Sequence, residues 1–402
     1  MTRTIGGILE ENGGIGPGFN TLRVALALAI VIFHSLDVTQ GVNASTGIAW
    51  LVTESLLPMF FALSGFLITA SAQRLPIQEF LLNRGFRIFP ALFVEIALSA
   101  IVLGAIATTI PLRDYYPSPE VGAYFLNVVG LIHYFLPGVF VGHPHAGMVN
   151  ASLWTIPWEL LSYFIMLILI ISSLIRRPHF VVIIAGAAIL LPVLLHLCLL
   201  LLANFPATSG SASRLLDSDL YFNGTSLDLG AMSPKQVAYW LIATLTGWQF
   251  RVIPFFLAGS ALYILRGRVK YSPALAMLIS AGLILGGVVL PPEWDGPLLN
   301  VVLCPALVYL TMFIGVTKTP PLPLFGRGDY SYGIYLYSYP IQQMVVRSGA
   351  DHLMWERNAM LSIPLITLFA MFSWHAIERP ILMRRKSIAE KLRSMRLLPR
   401  LA

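Results

Sequence analysis

Three groups of side chains have the types and spacing to do chemistry. The first is Arg23 and His34, eleven residues apart in the otherwise apolar run Leu22–Leu36, LRVALALAIVIFHSL. On a helix that is about 16 Å of axial separation. An imidazole held inside an apolar helix is costly, so it marks a base, a proton relay or a ligand unless a neighbouring helix satisfies it. The run alone leaves both readings open. Asp37 follows His34 at i+3, on the same helix face, where it either orients the imidazole or begins a solvated loop. The second group is Arg84 and Arg87 in NRGFRIFP (83–90), whose two guanidinium forks share a helix face and suit phosphate oxygens. The competing reading is ordinary anchoring of a span by basic residues. The third is Glu159 in WTIPWELLSYF (154–164), where Pro157 frees a backbone carbonyl. Glu54, Glu95 and Arg251 are further charges inside apolar stretches. Together a histidine and carboxylates have the composition of a general base with its partners, or of a proton relay.

These groups need elements to hold them. The chain has 402 residues, 57% hydrophobic and 11% charged. A soluble domain carries about twice that charge, so the composition excludes a soluble enzyme and predicts an all-α polytopic membrane protein. Ten spans are expected, at roughly 21–38, 48–70, 90–110, 152–175, 180–203, 237–263, 273–291, 297–316, 330–349 and 358–378. The apolar stretch 121–141 is broken by Asn127, His133, Pro137 and Gly138, and reads as an interfacial or re-entrant piece. The expected organisation is an N-terminal segment 1–20, one membrane domain 21–380 and a basic tail 381–402. Residues 1–20 lack a short apolar core and cleavage site, so the first apolar run is expected to be retained as a span.

Charge orients this map. Arg3, Arg23, the even-numbered connections and the tail hold about 20 of the 26 Lys and Arg. The odd connections hold Arg113, Arg214, Lys235, Arg347 and Arg357 among acids such as Glu120, Asp217, Asp219, Asp228, Glu293 and Asp295. The positive-inside rule therefore predicts both termini in the cytoplasm, His34 towards the outside, and Glu159 a turn or two inside an outer helix end. The net charge of +7 is then orientation and lipid contact rather than nucleic-acid binding. Residues 204–236 form the largest expected outer loop.

Other signals are weaker. Cys198 and Cys304 both lie in apolar runs, against a disulfide framework or metal cluster. His143 and His145 flank one proline and lack a further nearby metal ligand, so no metal is expected. His196 and His375 read as structural. SYGIYLYSYP (331–340) reads as an aromatic belt. Asn43, Asn150 and Asn223 head glycosylation triplets that occur often by chance.

Six stretches, in order, resemble acyltransferase family 3, the integral-membrane acyltransferases that include O-antigen and exopolysaccharide O-acetylases. Arg23 with His34 resembles that family's Arg/Lys-x10-His motif. PMFFALSGFLIT (58–69) resembles its Phe-Phe-x-x-Ser-Gly-Phe stretch, and NRGFRIFPAL (83–92) its Arg-x-x-Arg-(Ile/Leu)-x-Pro motif. LWTIPWELLSYF (153–164) is similar to its Leu-Trp…Glu segment, YSYGIYLYSYPI (330–341) to its Ser-Tyr-x-x-Tyr-Leu segment, and IERP (377–380) to its closing Ile-Glu-(Lys/Arg)-Pro. The resemblance covers about residues 20–385. It departs at Ser338, where members often have a histidine, and the sequence ends soon after the tenth expected span, so any second acyl-handling step is expected to need a separate protein.

The resemblance implies transfer of an acyl group, commonly acetyl from acetyl-CoA as co-substrate, to a hydroxyl of a glycan or similar acceptor. No permanently bound cofactor is implied. Arg84, Arg87 and Arg23 would hold the CoA phosphates, and His34 would be the base, with Glu159 and Asp37 as its partners or Glu159 on the sugar. Arg251 would face the thioester oxygen, Ser64 is a conceivable acyl relay or a small helix contact, and Tyr332 and Tyr335 would line the substrate site. Expected partners are acyl-CoA, the acceptor, membrane lipids and glycan-synthesis proteins, in a bacterial inner membrane. The alternative from another class is a proton-coupled transporter using His34, Glu159 and Arg251. No internal repeat supports it, and the Arg84–Arg87 pair has no natural role there.

Overall fold

The computed structural model describes residues 3–41, 47–203, 241–242, 244–290, 296–320, 322, 324–326, 328–349 and 354–394. The expected outer loop 204–236, the start of the span 237–263, Asn43, Glu293, Asp295, Arg327 and the tail from 395 lie outside the described residues. In chain order the helices are α1 (Ile5–Glu11), α2 (Phe19–Gln40), α3 (Gly47–Ala72), α4 (Ile77–Ala97), α5 (Ile156–Ile171), α6 (Pro178–Ala203), α7 (Val252–Leu265), α8 (Pro273–Val289), α9 (Pro297–Val316), α10 (Ser331–Ser348), α11 (Trp355–Phe372) and α12 (Arg379–Ser394). α4 runs on through a π turn at Leu98–Leu103, and a second π turn, Ser373–Glu378, joins α11 to α12. The described residues form no β-sheet, only isolated bridges.

Seven helical stretches are long and apolar enough to cross a membrane: Phe19–Gln40, Gly47–Ala72, Ile77–Ala107, Ala151–Ile171, Pro178–Leu201, Pro297–Val316 and Trp355–Arg385. The chain is therefore a multi-pass membrane protein. The other three expected spans differ in kind. Gln249–Leu265 and Pro273–Val289 are apolar but shorter. α10 has 18 residues and carries four tyrosines, two glutamines and an arginine. Much of its polar face is turned into the protein, where Gln342 and Gln343 are fully buried. The irregular stretch before α5 contains the helix Pro119–Tyr124 and a 3-10 turn at Phe125–Val129. Its fixed point is Asn127, whose Nδ2 donates to Tyr124 O and His133 O while its Oδ1 accepts from His133 N.

The chain packs as two compact units. One comprises Met1–Gly14, Gly47–Ala70 and Ser172–Ile314. Within it α1 docks on the end of α7, with Ile5 N donating to Val269 O at 3.0 Å and Gly6 N to Arg266 O at 2.8 Å. α3 and α7 meet backbone to backbone, for a side chain at Gly65 would overlap the Phe256 carbonyl and one at Gly259 the Ala62 carbonyl. Such small-residue contacts are how helices associate in lipid, where burial of apolar surface offers little.

The second unit comprises Ile15–Thr46, Ser71–Ile171 and Gly315–Ala402. α2 packs against α10 and α11. Gln342 Nε2 on α10 donates to Val31 O and Ser35 Oγ of α2, both at 2.7 Å, and Asn358 Nδ2 of α11 donates to Gln342 O at 3.0 Å. Gly333 lets α10 close on α11, since a Cβ there would stand 2.9 Å from Ala370 Cα.

Candidate active site

α2 is one continuous helix with Arg23 near its start and His34 near its end. Each lies in its own cluster of polar groups, and all of those groups belong to the second unit.

At the arginine end the centre is Asp329, just before α10. Its Oδ2 accepts from Arg23 Nη1 and from Arg87 Nη2, each at 2.9 Å. Its Oδ1 accepts from Ser331 Oγ at 2.8 Å. A carboxylate is favoured here also by the start of the helix behind it. Burial opposes its ionisation, but the Arg87 and Arg23 guanidiniums outweigh that and hold the carboxyl well below the usual range. Arg87 Nη1 reaches the buried Glu378 at 3.4 Å, and Glu378 Oε1 accepts from Ser373 Oγ at 3.0 Å. The Arg87 guanidinium also lies over the Tyr332 ring, 5.6 Å from its centre, and Tyr332 OH donates to Ile88 O. Arg84, one turn before Arg87, is different: its Nε is buried and has no hydrogen-bond partner among the described residues.

Glu159 belongs to this end. Tyr163 OH donates to Glu159 Oε1 at 2.5 Å, and the carboxylate is within electrostatic reach of Arg87 and Arg84. The sequence reading that puts Glu159 beside His34 has no contact to support it among the described residues. A span gives only approximate depth, and the 3-10 turn Ala151–Thr155 before α5 shifts its start.

At the histidine end, His34 and His145 both meet the ring of Tyr339 edge to face, with ring centres 5.4 Å and 6.3 Å away. His34 Nδ1 and Tyr339 OH are buried and have no hydrogen-bond partner among the described residues. Asp37 is close enough to Tyr339 to act on it electrostatically. His145 lies in a loop pinned to α10 by Gln343. Gln343 Oε1 pairs with His143 Nδ1 at 2.8 Å, and its Nε2 donates to His145 O at 3.4 Å and Met148 O at 3.0 Å. Burial pushes the His145 imidazole below the ordinary histidine value.

The remaining sequence candidates divide between the units. Tyr335, on α10, is held by Ser152 O and Thr155 Oγ1, each at 3.0 Å. Glu95 accepts from Ser99 Oγ and Asn150 Nδ2. Ser64 and Arg251 belong to the first unit, Ser64 beside the Gly65–Phe256 contact and Arg251 ion-paired with Glu54. Asp329, Tyr339, Gln342 and Gln343 were not singled out from sequence. Two glutamines in an apolar span, and one acid in a basic connection, were the signals available.

Comparison with known proteins gives these clusters a context. A family model described as an acyltransferase domain, that of acyltransferase family 3, matches residues 17–377. An O-acetyl transferase of Shigella phage Sf6 is 26% identical over 385 residues, covering 91% of this chain and 96% of that protein. Nodulation protein 10 of Rhizobium leguminosarum bv. viciae is 24% identical over 400 residues, covering 95% and 97%. No solved structure gives a significant match. The family model spans both ends of α2, the Arg84–Arg87 turn, Glu159 and the whole of α10, and the chain belongs to acyltransferase family 3.

Proposed function

We propose that the chain is an O-acetyltransferase of the bacterial inner membrane. It moves an acyl group, most simply acetyl, from acyl-CoA at the cytoplasmic face to a hydroxyl of a sugar or polysaccharide on the other side. The observation that carries this reading is the single helix α2, with a guanidinium cluster at one end and, about 16 Å along it, an imidazole whose Nδ1 has no hydrogen-bond partner among the described residues. The pantetheine arm of a coenzyme is long and thin enough to cover that distance. The positive-inside bias supports placing the arginine end at the cytoplasm.

In this reading Arg84 meets the donor phosphates, with Arg23 and Arg87 arranged around it, Tyr332 beneath Arg87, and Glu159 balancing the cluster's charge. His34 takes the proton from the acceptor hydroxyl as its oxygen attacks the thioester carbonyl. The tetrahedral adduct collapses, the carbon–sulfur bond breaks, and the coenzyme leaves as thiolate to be protonated. Asp37, three residues on and on the same face, is assigned as the carboxylate partner of His34. Tyr335 holds α10 to the start of α5. We assign packing and ion-pairing, not chemistry, to Ser64 and Arg251. Lipids, the acyl donor and the acceptor are the expected partners, with proteins of glycan synthesis supplying the acceptor.

The test is transfer of radiolabelled acetyl from acetyl-CoA into host membranes lacking this gene, by purified protein in detergent or vesicles. His34→Ala should insert, melt normally and fail to transfer. Full activity in that variant would remove the base, and absence of labelling by the unaltered protein would remove the reading.

A further inference from the structure

The role proposed for His34 leaves its neighbours unused. Tyr339 is 1% exposed, and its hydroxyl has no hydrogen-bond partner among the described residues. Buried hydroxyls nearly always have one, so such a group calls for an explanation. The facing imidazole, His34, has an unpartnered Nδ1 of its own. Two unsatisfied polar atoms on rings 5.4 Å apart are what a site looks like when its ligand supplies the missing hydrogen bonds.

His145 sits on the same tyrosine from the loop side. Its position is built, not incidental. Gln343, one turn beyond Tyr339 on α10, is fully buried and holds His143 Nδ1, His145 O and Met148 O together. His34 and His145 are half-buried and lie on either side of the buried Tyr339 ring. Imidazole and phenol each donate or accept as required. The acceptor class that matches such ambivalent groups is a neutral hydroxyl-bearing compound, since each sugar hydroxyl is itself donor and acceptor. A phosphate would call for fixed donors, and those are gathered at the arginine end.

We infer that Tyr339 and His145 position the acceptor, binding the hydroxyl-bearing group that His34 deprotonates. This rests on the reading of His34 as base. They are binding and positioning residues; no proton balance passes through them. The bond changes are those already given.

The experiment uses the full-length protein, labelled acetyl-CoA and host membranes lacking the gene, with each titrated while the other saturates. Tyr339→Phe removes one oxygen, and His145→Gln keeps a polar side chain. Each should raise the amount of membrane needed for half-maximal labelling, by roughly threefold to tenfold for one lost neutral hydrogen bond. Half-saturation by acetyl-CoA should move less than about twofold, and His145→Ala should be worse than His145→Gln. A purely structural role predicts instead a lowered melting temperature with both half-saturations unchanged, and that result overturns the inference. So does a shift confined to acetyl-CoA. If the unaltered protein transfers no label, the acyl-transfer reading fails and the inference falls with it. If His34→Ala retains labelling, only the base is lost, and the two half-saturations still decide the roles of Tyr339 and His145.

Discussion

The two ends of α2 are solved in opposite ways. At the arginine end almost every charge has its partner: Arg23 and Arg87 share Asp329, Arg87 also meets Glu378, and Ser331 and Ser373 complete the two carboxylates. At the histidine end the rings pack edge to face, but His34 Nδ1 and Tyr339 OH have no hydrogen-bond partner among the described residues. A network with both signs matched holds helices in register and is damaged by losing any member. A cluster of rings with open hydrogen-bonding atoms contributes less to register and leaves groups that a ligand could meet. In the proposed reading the arginine end is mainly scaffold and the histidine end is the acceptor site. It also changes which arginine is the better probe of the donor, because Arg87 has a structural load that Arg84 does not.

The sharpest break in this contrast is His34→Ala. Transfer of labelled acetyl should fall by at least about 10²-fold, the contribution of a positioned base, with melting unchanged. Next is Arg87→Ala, which leaves Asp329 with Arg23 as its one paired cation among the described residues and strands the fully buried Glu378. Loss of stability on the order of 3 kcal/mol is expected, read as a lower melting temperature or urea midpoint in detergent. Arg87→Lys should rescue it only partly, since an ammonium cannot reach two carboxylates and cover Tyr332 as a planar fork does. An Arg87→Ala protein that melts normally would erase the distinction between the ends. Third, Arg84→Ala should leave melting within a few degrees and raise half-saturating acetyl-CoA by about tenfold, the cost of one or two charge-assisted contacts. Unchanged donor dependence would remove Arg84 from the phosphate site.

The smallest effect expected is on acid stability. The carboxyl of Asp329 titrates lower in the folded chain than in the unfolded one. Its contribution is therefore complete above the unfolded value of about 3.9 and is lost as pH falls below that towards the folded value. Melting of the unaltered protein should drop between about pH 4 and pH 3 more than that of Asp329→Asn, which has already lost the charge. Equal slopes would mean that the pairing seen at Asp329 contributes nothing to folding.

Much of this was legible before any coordinates. Apolar composition and helical period fixed a multi-pass helical protein. The eleven-residue spacing in α2 and the Arg84–Arg87 turn marked the two ends, because face and rise along a helix are local properties. The six motifs in order marked the family. α10 was legible as a helix but not as a polar wall: its tyrosines read as a membrane-interface belt, whereas the fold buries Tyr337, Tyr339, Gln342 and Gln343 among α2, α11 and a loop.

What only the tertiary structure decided is which distant residues meet. Asp329 is 306 residues from Arg23 and 242 from Arg87, and Glu378 is 291 from Arg87. Glu159 lies within electrostatic reach of Arg87 and Arg84, and His145 packs against Tyr339. Local sequence sets the direction a side chain takes from its own helix. The partner it finds depends on which helices pack and at what depth, which is settled by small-residue contacts such as Gly333 on Ala370 and by buried amides such as Gln342.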